Sequence, residues 1–167
     1  MASKEIMDLM EPMVFERDRQ EFALGDTFDI KTGLILAALT FLAIQSGEFI
    51  HGGLSFYCKV AQYVSVGALI IGGILATIEL WPIDYEREAS PDKYLDWLER
   101  VKESFAGQPE VNIAQYATAG RLERALERIK NNVAANKRKS GFMIASFAFT
   151  VLSFAANMFT LFMRLLS

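Results

Sequence analysis

The sequence predicts an all-α integral membrane protein with three transmembrane helices, a cytoplasmic helical insert and homo-oligomeric assembly. Three uncharged stretches carry that reading: Ser140–Met163 covers 24 residues, Val60–Ile78 covers 19 and Thr32–Gly47 covers 16. A bilayer core needs roughly 17–25 predominantly apolar residues per helix, so the two longer stretches suffice alone and the third suffices with its flanks. Across all 167 residues the hydrophobic content is 52%, only mildly above that of soluble proteins. Clustering decides the class, not the mean.

Residues 1–27 form a cytoplasmic amphipathic arm. Ile6, Met7, Leu9, Met10, Met13 and Val14 recur at helical intervals among charges, with an interruption expected near Pro12. Acidic residues outnumber basic ones, which disfavours anionic lipid and favours packing on the other cytoplasmic helices. Lys4, Glu5, Asp8 and Glu11 stand where a signal peptide would need an apolar run, so none is expected.

Residues 28–82 form a transmembrane hairpin with spans at 28–50 and 60–81. Asp26 and Thr27 are N-cap candidates for the first span, Asp29 suits its first turn, and Lys31 can snorkel to the headgroups. Gly52 and Gly53 break it. The second span stops at Trp81-Pro82, an interfacial anchor followed by a residue that cannot continue a helix. Its Ala68, Gly72 and Ala76 form a ridge of small residues that invites close approach by another helix.

Residues 83–140 form the helical insert. Ser90-Pro91 is a helix start, Tyr94, Leu95, Leu98, Val101 and Phe105 make an apolar stripe, and Gly107 ends it. After Pro109 a second pattern carries Leu122, Leu126, Ile129 and Val133 and meets no strong stop before the third span at 141–166. Arg121–Met163 is therefore predicted as one long helix. Of the 17 Lys and Arg, eleven fall in Arg87–Lys139, four precede the first span's core and one (Lys59) lies in the first loop. The positive-inside rule then puts the N-terminus and insert in the cytoplasm and the C-terminus outside.

Little chemistry fits the remainder. One His (His51) and one Cys (Cys58) exclude most metal sites and Cys/His or Ser/His catalysis, and no acid/base pair is visible. No enzyme, metal or cofactor is expected. Cys58 reads as a passive thiol, or as an intermolecular link if its side is oxidising.

The third span holds the most informative pattern. Ser146, Thr150, Ser153, Asn157 and Thr160 are spaced 4, 3, 4 and 3, so all five share one helical face, which Arg164 continues to the outer end. A polar stripe must face protein or water, because hydrocarbon satisfies neither hydroxyl nor amide. Two readings stay open: pore lining around the axis of a homo-oligomer, or glue between neighbouring helices. Gln45 and Glu48 share a face near the outer end of span one and are candidates for a cation vestibule; a solvated interfacial Glu48 is the plainer alternative. Arg121, Arg124, Arg128, Lys130, Lys137, Arg138 and Lys139 form a basic stretch that would attract phosphates, although topology alone also calls for basic residues there.

Asp29-Ile30-Lys31-Thr32-Gly33-Leu34 at the mouth of span one, Leu80-Trp81-Pro82 closing span two and Asn136-Lys137-Arg138-Lys139 opening span three resemble small membrane effectors of bacterial anti-phage defence. These include Pycsar-type transmembrane effectors, the SLATT group and the membrane effector of Hailong systems. The resemblance implies a bacterial inner-membrane protein that oligomerises, a tetramer being favoured, and depolarises or permeabilises the cell in abortive infection. It further implies gating by a nucleotide or single-stranded oligonucleotide, supplied by a partner nucleotidyltransferase or cyclase. No nucleotide-sensing domain is expected after the last span, so sensing would fall to the insert, the arm or a partner. The competing functions are a non-conducting scaffold that docks a soluble partner and a holin-like hole-former.

Overall fold

The structure, a computed structural model, describes residues 4–50, 55–82, 85–108 and 112–166. Among the described residues it contains four helices and no strand: α1 (Lys4–Ile50), α2 (Phe56–Leu80), α3 (Pro91–Ser104) and α4 (Ile113–Leu166). Helices α1, α2 and α4 are long and apolar enough to cross a membrane. At 1.5 Å per residue, α1 and α4 run about 70 and 80 Å, more than twice the hydrocarbon thickness of a bilayer. His51, Gly52, Gly53 and Pro109 lie outside the described residues.

Two sequence expectations for α1 fail. The helix passes through Pro12 without interruption, and Asp26 and Thr27 sit inside it instead of capping it. Pro12 costs one backbone hydrogen bond, but Met7 on one side of it and Val14 on the other are both buried against α4. Packing on either side of the proline keeps the helix continuous through it.

The chain divides into two compact units, Met1–Leu24 with Asp84–Asn136, and Gly25–Ile83 with Lys137–Ser167. The first packs Met7 and Val14 of α1 on Leu122 and Ala125 of α4, with Phe15, Ala119 and Ile129 around them. Two buried amides of α4 then fix the segment before α3. Asn132 accepts from the Glu86 backbone N–H at 3.2 Å and donates to its carbonyl at 3.3 Å. Asn136 accepts from the Tyr85 hydroxyl at 2.8 Å and donates to the Glu21 carbonyl at 2.7 Å. In α3, Val101 is buried as expected, while Leu95 is exposed and Trp97 turns inward. A Cβ on Gly120 would stand 3.2 Å from the Trp97 ring, so the glycine makes room for it. Gly107, at φ +88°, ends the turn after α3 in a conformation that favours glycine.

The acidic arm and basic α4 neutralise each other within this unit. Arg128 donates twice to one Asp18 oxygen, at 3.1 and 2.8 Å, with both side chains mostly buried at 11% and 14% exposure. Truncation of Arg128 to Ala leaves the Asp18 carboxylate half-desolvated and unpaired. We expect a loss of about 1–2 kcal/mol, below the 3–5 of a fully buried pair because some water reaches it. Arg128→Lys should fall between, keeping the charge but not the fork. Thermal unfolding of the full chain in detergent checks both.

The second unit is inverted relative to a soluble protein. Its inward positions are Thr32, Ile35, Leu39, Leu42 and Ser46 on α1, Cys58, Gln62, Ser65, Ala68, Gly72, Ala76 and Glu79 on α2, and the polar face of α4. Its outward positions are Ile30, Leu34, Phe41, Ile44, Ile70, Ile74, Phe147, Val151 and Phe154, all exposed. An apolar surface around a polar interior is what a bilayer solvent selects.

Candidate functional site

All five seam residues of α4 lie inside the single chain, at 0–8% exposure. They face α1 and α2 of the same molecule, so the expected arrangement around an axis between copies is not the one present. Ser146 Oγ donates to the Gly72 carbonyl at 2.8 Å. That contact depends on Gly72 having no side chain, because a Cβ there would be 3.2 Å from Phe149 Cβ and 3.5 Å from the Ser146 carbonyl oxygen. Thr150 bonds back to its own helix, to the Ser146 carbonyl at 2.9 Å. Ser153 and Ser65 hydroxyls meet at 2.8 Å.

The outer cluster is denser. Asn157 Oδ1 is met by Ser46 Oγ at 3.1 Å, Ser65 Oγ at 3.2 Å and Gln62 Nε2 at 3.2 Å. Gln62 Nε2 also reaches Thr160 Oγ1 at 2.9 Å. Asn157 Nδ2, Gln62 Oε1 and Gln45 Oε1 are buried without a hydrogen-bond partner, a surplus that suits water or a polar ligand better than hydrocarbon. Gln45 is half-buried, and Arg164 is exposed and so does not extend the seam. The Glu48 side chain and His51 fall outside the described residues. Cys58 is buried and free.

At the other end of the same unit the polar groups are charged. Lys139, with its side chain only 3% exposed, forms an ion pair with Asp29. Glu79 and Thr32 are fully buried, and neither Glu79 carboxylate oxygen nor Thr32 Oγ1 has a hydrogen-bond partner. From Lys139 to Thr160 the polar face of α4 spans 22 residues, about 30 Å, the thickness of a hydrocarbon core.

The basic stretch does not act as one patch. Within the first unit Arg121 pairs with Glu11 at 3.5 Å and Glu88 at 3.2 Å, and Arg128 with Asp18. Lys139 is buried and forms an ion pair with Asp29. Arg138 lies over the Phe142 ring at 5.8 Å, while Lys130 and Lys137 are exposed. Arg124 lies over the Trp97 ring at 4.8 Å. Those two residues help line a cavity of about 630 Å³ in the first unit together with Lys93, Asp96 and Arg100. An aromatic face beside several cations is suited to a base and its phosphates. Trp97 and Lys93 had no place in the sequence motif because they sit on α3, far from Arg124 along the chain.

Among the described residues no group of three or more His, Cys, Asp or Glu could hold a metal ion. No family model matches the chain, and no curated protein and no solved structure is similar to it.

Proposed function

We propose that this chain is a gated ion-conducting effector of the bacterial inner membrane, held closed in the conformation described. One observation carries the reading: hydroxyl, amide and charged side chains continue through about 30 Å of an otherwise apolar unit. Hydroxyls and carboxamides replace part of an ion's hydration without trapping it, as conduction requires. Opening would unzip α4 from α1 and α2 and turn Ser146, Thr150, Ser153, Asn157 and Thr160 toward water on the axis of a homo-oligomer, a tetramer being favoured. The N-terminus and residues 83–140 would face the cytoplasm and the C-terminus the outside, following the basic residues. A nucleotide or single-stranded oligonucleotide made by a partner nucleotidyltransferase or cyclase would bind beside Trp97, Arg100 and Arg124. The cellular outcome, in line with the resemblance to anti-phage effectors, is depolarisation in abortive infection.

The scaffold reading has its own support, since nearly every seam bond closes within the chain. Planar-bilayer recording of the purified protein, with and without short single-stranded DNA and cyclic nucleotides, separates the two. Discrete current that a nucleotide alters is the expected result. A silent bilayer containing the assembled protein under every condition favours the scaffold.

A further inference from the structure

The charged end of the second unit holds a group the conduction reading does not use. Glu79 is 0% exposed, and both its carboxylate oxygens lack hydrogen-bond partners. The groups that act on it are Thr32 and Asp29 of α1 and Lys139 of α4. Thr32 Oγ1 is likewise 0% exposed and unpartnered. Three helices thus converge two carboxylates, one hydroxyl and one ammonium. Lys139 forms an ion pair with Asp29, which keeps 44% exposure, and is thereby shared between two carboxylates. A cavity of about 420 Å³, lined by Glu79, Trp81, Arg138, Lys139 and Phe142, gives access, with the Arg138 guanidinium over the Phe142 ring.

A desolvated carboxylate with no short hydrogen bond to either oxygen is expensive to bury, and the Lys139 that acts on it is shared with Asp29. We propose that Glu79, Thr32 and Asp29 form a binding site for a monovalent alkali cation, Na⁺ or K⁺. Carboxylate and hydroxyl oxygens are the hard ligands such an ion takes, and the ion's charge offsets the burial of Glu79. Glu79 and Thr32 supply buried oxygens, the half-exposed Asp29 supplies another, and Lys139 tunes affinity by sharing Asp29. Placed at one end of the polar seam, the site would select cations over anions at the mouth of the conduction path. Binding does not require conduction, so the site and the channel reading fail separately.

The test is thermal unfolding of the full chain in mild detergent, at one pH and equal ionic strength, in NaCl, KCl and N-methyl-D-glucamine chloride. At least one alkali salt is expected to raise Tm by several degrees over the bulky organic cation, by preferential binding to the folded state. Glu79→Gln and Thr32→Val should each erase that difference while keeping helix content. Thr32→Val, nearly isosteric, decides the matter if Glu79→Gln does not fold. Equal Tm in all three salts overturns the proposal, as does an undiminished salt effect in the variants. The three salts are then repeated at a second pH, and a Tm that follows pH but not the cation also overturns the proposal, because a proton then neutralises Glu79.

Discussion

Replacing Asn157 by Leu is expected to destabilise the membrane-spanning unit by about 2–3 kcal/mol. Its Oδ1 accepts from three side chains, Ser46 on α1 and Gln62 and Ser65 on α2, so the amide joins three helices at one atom. Interhelical hydrogen bonds in membranes average only about 0.6 kcal/mol, because the separated helices find other partners. Here one substitution breaks three and takes one of two acceptors from the Gln62 amide nitrogen, which keeps only Thr160, and this adds a desolvation cost. Leu also fills the site, so the loss is not that of a cavity. Unfolding in mixed micelles by titration with a denaturing detergent measures it. Phe154→Leu, on the outward face of the same helix, should change stability little, because Phe154 is exposed.

Gly72→Leu is expected to cost about 3 kcal/mol and to separate α2 from α4. Even a Cβ at this position meets Phe149 Cβ at 3.2 Å and Leu39 Cδ2 at 3.4 Å, on two different helices. A whole leucine must push both away, and Phe149 Cβ, one bond from its backbone, cannot yield even where the Leu39 methyl can turn aside. The 2.8 Å bond from Ser146 to the Gly72 carbonyl would lengthen beyond use. Gly73→Leu is the matched control, since a Cβ there meets nothing within 4 Å. The same micelle titration should show Gly72→Leu far below Gly73→Leu. Equal losses would contradict the close helix contact.

Much of the helical architecture was legible because apolar runs and helix stops are local signals. Ser90-Pro91, Gly107 and Trp81-Pro82 mark ends by backbone chemistry that no tertiary contact alters. Pro12 misled because the packing of Met7 and Val14 on both sides outweighs one missing hydrogen bond. The stripe in α4 holds at Leu122 and Ile129, which pack in the core, and fails at Leu126 and Val133, which are exposed. Ala125, Asn132 and Asn136 turn inward as well, and a hydrophobic count cannot find the part of an interface built from a small residue and two amides. The seam itself was read correctly as one face. Which partner covers it was not readable, because pore and glue demand the same periodicity; the matching polar faces on α1 and α2 are Ser46, Gln62 and Ser65, one or two residues in each span. Glu79 was passed over for a similar reason. Next to Trp81 it looks like an ordinary interfacial acid, and only its burial beside Thr32 and Lys139 sets it apart.

The central claim is that ions pass only when the seam opens, and a reversible lock tests it most directly. Ser65 and Ser153 face each other across α2 and α4 with hydroxyl oxygens 2.8 Å apart. In a Cys58→Ser background, Ser65→Cys with Ser153→Cys should form a disulfide between the helices on oxidation. Planar-bilayer current from this variant should be present when reduced, vanish when oxidised and return with reductant, while either single substitution stays indifferent to redox state. Current of undiminished size through fully cross-linked protein would contradict the account, because conduction would then take a route that leaves the seam closed.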